Sequence, residues 1–435
     1  MVTRGLPWRR PPRLTPDDLP PGGAGTFRAL RHRNYRLFYT GQSISLCGTW
    51  MQTIAQAWLV LQITDSKVAL GTVTMLQFLP ITMFVLFAGV IADRVPKRNF
   101  IVGTQLLAMA QALTLAALVW SGHVELWHVY VLAFVLGLAN AFDQPARQAF
   151  VFEMVGRDDL MNAVALNSGM FNGARLVGPA IGGFVIAAVG VKIAFLINGI
   201  SFVPVIISLI MMRTSELYGL PRRTGKIDPL GELREGLSYA FRTPSALLIV
   251  ILVAIIGTFG YNFTVMLPLL TRYVLESGEV ALGFMTGAVG LGALISALML
   301  AGRATASKTT LFVGGTAFAL LLGAVALSQW LLVTLAFLFM LGLANTAFAS
   351  TANTSLQLAT PDHLRGRVMS LYMLLFAGST PIGGYLTGVM AEAWGVQTAI
   401  GIEAVLCLVG IAAGLTYYVT HRAQIVATAV AAPAG

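Results

Sequence analysis

Glu403 and Arg175 are ionisable side chains set deep inside long apolar runs, Glu403 about a third of the way down one from 395 to 419 and Arg175 near the middle of one from 160 to 189. A charge in such surroundings is costly and marks a site for protons or for a bound solute. Glu403 is the only acid placed well inside a run, so it is the group expected to titrate. The alternative is an outer-end carboxylate that water still reaches. Arg175 stands four residues before Pro179, and it either joins a solute site or pairs with a backbone carbonyl freed by the Gly/Pro stretch.

A second constellation is amide and hydroxyl. Gln42, Ser45, Thr49, Gln52 and Gln56 recur at spacings of three and four in the first run, a stripe about 21 Å long at the rise of an α-helix. Lipid cannot satisfy such a stripe, so it faces protein or water. It lines a water-filled central path or makes hydrogen bonds between packed helices. Asn140, Asn345 and the pair Tyr261-Asn262 are expected to border a cavity, with structural amides as the competing reading.

A third constellation is ionic, the ten residues GVIADRVPKR from Gly89 to Arg98. Gly89 permits close helix approach. Asp93, at the end of the second run, suits the positive N-terminal end of a neighbouring helix, with the eleventh run beginning at about Leu364. Arg94, Lys97 and Arg98 follow, and the plain alternative makes them topological markers only. In the fifth run Gly178, Pro179, Gly182 and Gly183 remove bulk and one backbone donor, which permits a bend and close contact with the eighth run and its Gly283, Gly287, Gly290 and Gly292.

Composition says what must hold these residues. Of 435 residues 57% are apolar and 11% charged, against about 25% charged in a soluble domain. This is a membrane protein. Twelve runs reach the roughly 20 residues that cross a bilayer: about 34 to 62, 68 to 92, 99 to 120, 127 to 148, 160 to 189, 191 to 212, 245 to 271, 281 to 302, 309 to 328, 330 to 357, 364 to 391 and 395 to 419. The formal charge of +10 does not point to nucleic acid, because its placement is topogenic. All of the 28 Lys and Arg residues except Lys67, Arg175, Lys192 and Arg272 fall in the tails, in the loops between even and odd runs, or at the run ends that adjoin them. That bias puts both termini in the cytoplasm of a multi-pass plasma-membrane (inner-membrane) protein. Trp58, Trp120, Trp127, Trp330 and Trp394 then fall at outer ends, where an indole buries its ring and keeps its N–H wet.

The chain divides into a disordered basic tail (1–33), a six-helix half (34–212), a linker (213–244), a second six-helix half (245–419) and a C-terminal tail (420–435). In the linker, Leu230, Leu233, Leu237 and Phe241 share one helical face apart from Glu232, Arg234 and Glu235, which fits an amphipathic helix at the inner leaflet or a solvated linker. The halves repeat. LGLAN recurs at 136–140 and 341–345, Gly190-Val191 matches Gly395-Val396, Ala194 matches Ala399, and GPAIGG at 178–183 matches STPIGG at 379–384 with a four-residue slip. Many secondary transporters are built of such repeats.

Catalytic chemistry finds little support. No HExxH or GxSxG is present. GRATASKT carries Ser307 where a phosphate loop needs glycine and lacks the strand-to-helix context. Cys47 and Cys407 fall inside runs, as buried thiols.

From about Phe27 to Tyr418 the chain resembles the major facilitator superfamily. GVIADRVPKR is similar to the signature after its second helix, Gly-x-x-x-Asp-Arg-x-Gly-Arg/Lys-Arg/Lys, with Pro96 where glycine is usual and Lys97 where arginine is common. ARLVGPAIGG is similar to the antiporter motif Gly-x-x-x-Gly-Pro-x-x-Gly-Gly, with alanine first. FRALRHRNYRLFYTGQSIS and ANAFDQPARQAFV bring it nearest the subgroup of the enterobactin exporter and macrolide-efflux proteins.

The resemblance implies an all-α fold of twelve transmembrane helices in two pseudo-symmetric halves, and a cytoplasmic gate in which Asp93 pairs with Lys97 and with an acid at the inner end of span four. Asp143 is the first candidate for that acid and Glu153 the second. The second-half loop keeps Gly302, Arg303 and Lys308 but no acid, so the gate is expected to be asymmetric. The span-five motif implies export. The expected protein is therefore a proton-coupled exporter of an amphipathic small molecule, drug-like compound or siderophore, working by alternating access. Its partners are that solute, protons and the lipid bilayer, without nucleic acid, cofactor or metal, and it acts as a monomer. The competing readings are a proton-independent facilitator or importer of a small metabolite, and a non-transporting membrane scaffold or receptor.

Overall fold

The computed structural model describes residues 25–218, 229–300, 307–422 and 424. The tail before residue 25, Gly302 and Arg303 lie outside them. The described residues are all helical apart from connections. The first half holds α1 (Arg33–Thr64), α2 (Lys67–Arg94), α3 (Lys97–Ser121), α4 (Leu126–Val155), α5 (Leu160–Val189) and α6 (Val191–Ile210). After α7 (Pro229–Arg242) the second half holds α8 (Pro244–Gly260), α9 (Phe263–Tyr273), α10 (Glu279–Leu300), α11 (Lys308–Leu327), α12 (Leu331–Ala359), α13 (Asp362–Ala377), α14 (Thr380–Trp394) and α15 (Val396–Thr420).

Eleven stretches of the described residues are long and apolar enough to cross a membrane, with α8–α9 and α13–α14 each counting as one. The twelfth crossing is α1, 32 residues long, whose polar stripe lowers its hydropathy. With twelve crossings, the start of α1 and the end of α15 share one face, called here the basic face.

Two expected single spans are broken helices. Span seven stops at Gly260 and restarts at Phe263. Asn262 turns its amide back to the Thr258 carbonyl (2.9 Å), which competes with the helical ladder. Span eleven stops at Ala377 and restarts at Thr380. Pro381 sits in the first turn of α14, where its missing N–H leaves no bond unmade.

The repeat in the sequence is a repeat of helix contacts. Gly137 in α4 presses on the Gln77 carbonyl of α2, and Gly342 in α12 presses on the Val289 carbonyl of α10. Any side chain at either position would collide with that backbone. The glycine pairs correspond too. Gly182 faces Met51 and Ile54 of α1 while Gly183 faces Glu279 of α10, and Gly383 faces Thr258 of α8 while Gly384 faces Thr74 of α2. In each pair one glycine packs within its own half and the next packs across to the other. Gly190 and Gly395 both end a helix at φ 83° and 87°, a left-handed conformation that glycine adopts without strain.

The halves therefore meet along α5–α10 and α2–α14. A Cβ on Gly183 would lie 2.6 Å from the Glu279 carbonyl oxygen, and one on Gly71 would lie 2.7 Å from that of Gly384. Gly283, Gly287 and Gly290 face α5 as expected, but Gly292 faces Phe339 of α12 instead.

Polar contacts join the halves on the face opposite the termini. Asp65 pairs with Arg272 (2.9 Å) and accepts from the Tyr273 hydroxyl (2.7 Å). The Lys67 backbone N–H donates to Glu392 (2.9 Å). The Tyr273 hydrogen bond, opposed by slight burial and helped by Arg272 and Lys67, holds the Asp65 carboxyl below its ordinary range.

Two sequence expectations change here. Trp58 is 7% exposed and packed in the core, because α1 continues to Thr64 and the indole lies well short of the helix end. The other four named tryptophans are exposed. The described part of the basic tail holds a short 3-10 helix at Arg28–Arg31. Arg28, Arg31 (2.7 Å) and His32 (2.6 Å) all reach Asp159 in the α4–α5 connection. A buried acid supplies the partner that a free basic tail lacks.

Helix α7 lies in the linker and docks through Gly236 against the Arg367 backbone and through a Glu235–Arg367 ion pair. Leu237 and Phe241 remain exposed. The side chains of Leu230, Glu232 and Leu233 lie outside the described residues.

Candidate functional site

A cavity of about 360 Å³ lies between the halves at mid-depth. Its wall is built from the middle of α1 (Trp50, Thr53), the middle of α5 (Phe171, Arg175), the break in span seven (Tyr261) and the middle of α12 (Asn345). Discontinuous helices at the midplane are where transporter repeats place their sites. The lining is mostly aromatic and aliphatic. Trp50 meets Phe171 edge-on at 5.7 Å, and Tyr261 meets Phe376 at 4.5 Å.

Of the residues expected on a solute path, Tyr261 and Asn345 line this cavity. The rest are placed elsewhere. Gln52 bonds to Gln111 (3.0 Å) and accepts from Asn198 (2.5 Å), while Gln56 bonds to Gln77 (2.9 Å). These are interhelical ties inside the first half, as the alternative reading of the stripe had it. Gln42, Ser45, Thr49 and Asn140 line a separate pocket of about 50 Å³ with Asp143 and Arg147. The cavity face of α1 is Trp50, Thr53, Ile54 and Ala57, rotated about 100° from the polar stripe because successive helical residues turn by that angle. A tryptophan far from either membrane end was the available signal for Trp50. Thr53, Phe171 and Thr264 carried none.

Arg175 lines the cavity and stacks over Trp50, 5.7 Å from ring centroid to guanidinium carbon. Among the described residues it meets no carboxylate and no backbone carbonyl, so the alternative carbonyl pairing is not among its contacts. Tyr261 Oη, Thr264 Oγ1 and Asn345 Oδ1 are buried on the same wall without hydrogen-bond partners.

Glu403 stands one layer behind this wall. It is 1% exposed, so the water-reached outer-end carboxylate is not what the fold builds. Its Oε1 accepts from Asn262 (3.1 Å) and from the Thr387 hydroxyl. Asn262 is the residue of the span-seven break, and its neighbours Tyr261 and Phe263 line the cavity. The carboxyl thus has two neutral donors, one from each broken span, and no cationic partner among the described residues. Cys407, one turn further along α15, is buried, and Cys47 is half-buried.

At the basic face the described ionic residues bind within their own half. Lys97 pairs with Glu153 (2.9 Å), the second of the two candidate acids of span four. Asp143 lies ten residues before Glu153, about 15 Å deeper along α4 at the α-helical rise. There it accepts from Thr104 (2.7 Å), Gln105 (3.0 Å) and Arg147. Arg98 donates to the Leu209 (2.6 Å) and Ile210 (2.7 Å) carbonyls at the end of α6, a cation on the negative end of a helix. Lys97 and Arg98 therefore tie α3 to α4 and α6 within one half. Arg94 is exposed at the end of α2. Gly89 and Asp93 belong to α2, and their side-chain contacts lie outside the described residues. On the motif of span five, Gly178 sits against the Cys47 backbone and Trp50, and the Pro179 carbonyl receives Gly283.

Twelve crossings in two related halves around a midplane cavity define a membrane transporter of the major facilitator fold. The chain belongs to the transmembrane secretion effector family of that superfamily, which matches residues 24–431. It is 28% identical to the multidrug efflux pump Tap of Mycolicibacterium fortuitum over 378 residues, 84% of this chain and 91% of that one. It is 25% identical to the staphyloferrin A transporter of Staphylococcus aureus, with 84% and 92% covered, and 24% identical to macrolide efflux protein A of Streptococcus pyogenes over the same shares. Among solved structures it superposes on a POT family transporter in complex with 5-aminolevulinic acid with TM-score 0.73 at 11% identity, covering 91% of this chain and 99% of that one. The nucleoside transporter NupG gives TM-score 0.67 at 12% identity, with 88% and 99% covered. These likenesses are of fold. The family is one of transporters, not enzymes.

Proposed function

We propose that the protein is a proton-coupled exporter of amphipathic small molecules that works by alternating access of the cavity between its halves. The observation that carries this reading is the Glu403 carboxyl, buried behind the cavity wall and held by Asn262 and Thr387. A carboxylate in that position needs its two donors, and a protonated carboxyl needs them less. Asn262 shares its amide between Glu403 and the Thr258 carbonyl, so protonation alters the balance at the break that positions Tyr261. Proton and solute thus bias one element from its two sides, as coupling requires.

Export is supported by the relatives named as efflux pumps, and by the close packing of Gly183 and Gly283 across the halves. The mixed aromatic and hydroxyl wall supports an amphipathic cargo. The concentration of Lys and Arg on the terminal face supports cytoplasmic termini in the plasma membrane. Reconstitution in proteoliposomes under an imposed pH gradient tests the reading. Gradient-driven movement of an amphipathic dye or siderophore is expected. Equal movement with and without the gradient would instead identify a facilitator, and movement no faster than in empty vesicles would remove transport of these solutes altogether.

A further inference from the structure

We infer that the central cavity takes an organic anion, a carboxylate on an aromatic or branched apolar body, with Arg175 as the residue that receives the carboxylate. The inference rests on the cavity being the solute site and adds the charge of the solute. Among the described residues Arg175 is the one charged side chain on the wall. The Glu403 carboxyl is turned to Asn262 and Thr387 and does not line the cavity.

A guanidinium presents five donors in a planar fork that fits a carboxylate at two points. Here the fork meets only the Trp50 face, 5.7 Å away. Stacking on an aromatic face leaves the in-plane N–H donors free for an occupant. Tyr261, Thr264 and Asn345 stand on the same wall, but their side-chain oxygens are turned into the packed interior, which leaves the guanidinium as the polar group that receives an occupant. Trp50, Phe171 and Phe376 supply the apolar faces, and a cavity of about 360 Å³ admits a ligand of small-molecule size.

Aromatic walls also suit organic cations, so magnitudes must decide. A cation–π contact strengthens binding by about two- to thirtyfold. A fixed like charge at about 6 Å weakens it by about a hundredfold at an effective dielectric near 20. With Arg175 charged and no acid on the wall, repulsion wins.

Three probes of one shape separate the cases: 2-naphthoate, 2-naphthylmethylammonium and neutral 2-naphthalenemethanol, titrated calorimetrically into the purified full chain in detergent. The expected result is naphthoate bound about tenfold or more tighter than the ammonium, as one charge-assisted pair supplies. Arg175→Met is expected to erase that preference. Arg175→Lys, which keeps the charge and loses the fork, is expected to retain part of it, and this variant answers the question if the Met variant does not fold. Equal or tighter binding of the ammonium, an unchanged preference in Arg175→Met, or binding of none of the three overturns the inference. Binding in detergent needs no gradient. An anion preference without proton-driven transport therefore refutes the proposed function alone, and proton-driven transport of cations without naphthoate preference refutes this inference alone.

Discussion

Glu403→Gln is expected to abolish proton-driven accumulation of cargo while leaving downhill movement intact. The magnitude follows from the acids buried among the described residues, Asp143, Asp159 and Glu403. Asp143 is paired with Arg147, and Asp159 with Arg28 and Arg31. Glu403 alone has neutral donors only. On the proposed function, one acid without a counter-cation would carry one proton per cycle, and a gradient of one pH unit would then contribute about 1.4 kcal/mol, or about tenfold accumulation. The assay is the steady-state accumulation ratio in proteoliposomes, with the membrane potential clamped, over a series of gradients. The wild type should rise about one decade per pH unit, and Glu403→Gln should stay flat. The amide keeps the size of the carboxyl, and its oxygen can accept from both donors, which already share Oε1, so folding should survive. A wild-type slope retained in Glu403→Gln would refute the assignment. A slope near two decades per unit in the wild type would require a second titrating group and refute the single-proton count.

Three further outcomes follow from particular contacts. Lys97→Ala and Glu153→Ala should each destabilise the protein by about 1–3 kcal/mol, and the double variant by less than their sum; thermal unfolding in detergent measures this, and strictly additive losses would refute the pairing. Gly183→Leu must displace the Glu279 backbone and should abolish transport at normal expression, whereas Gly173→Ala, which meets nothing within 4 Å, should change stability by no more than about 0.5 kcal/mol; a transport-competent Gly183→Leu would show that α5 and α10 need not touch. Burial pushes the Asp159 carboxyl up, but the His32 and Arg28 hydrogen bonds and the Arg31 charge outweigh it and hold it below its ordinary range. A depressed carboxyl stabilises the fold above its unfolded value and loses that contribution as pH falls, so protection of residues 25–32 from proteolysis should be full at neutral pH and fall below about pH 4. Asp159→Asn should expose the segment at neutral pH too, and a protected segment in that variant would refute the pairing.

The polar stripe shows how far periodicity reaches. Spacing of three and four correctly put Gln42, Ser45, Thr49, Gln52 and Gln56 on one face away from lipid, but the choice between water and protein belongs to whatever helix lies opposite. Gln111 on α3, Gln77 on α2 and Asn198 on α6 were that partner for the deeper amides. Asp143 shows the same limit for ions. Both it and Glu153 lie toward the inner end of span four, and only the start of α3 at Lys97 selects the shallower one.

By itself the sequence determined the number of crossings, the two related halves, the basic face and the depth of Glu403 and Arg175, because hydropathy, charge placement and repeats are properties of a chain read along its length. It also carried the glycines at which helices touch, since a missing side chain is visible without a partner. The breaks at Tyr261-Asn262 and Gly378-Ser379, the rotation that gives the cavity to Trp50 rather than to the polar stripe, and the donors on Glu403 were decided only by tertiary structure. Each depends on which face of one helix meets which face of another. That register is set by backbone contacts such as Gly383 on Thr258 and Gly183 on Glu279, between residues far apart in the chain.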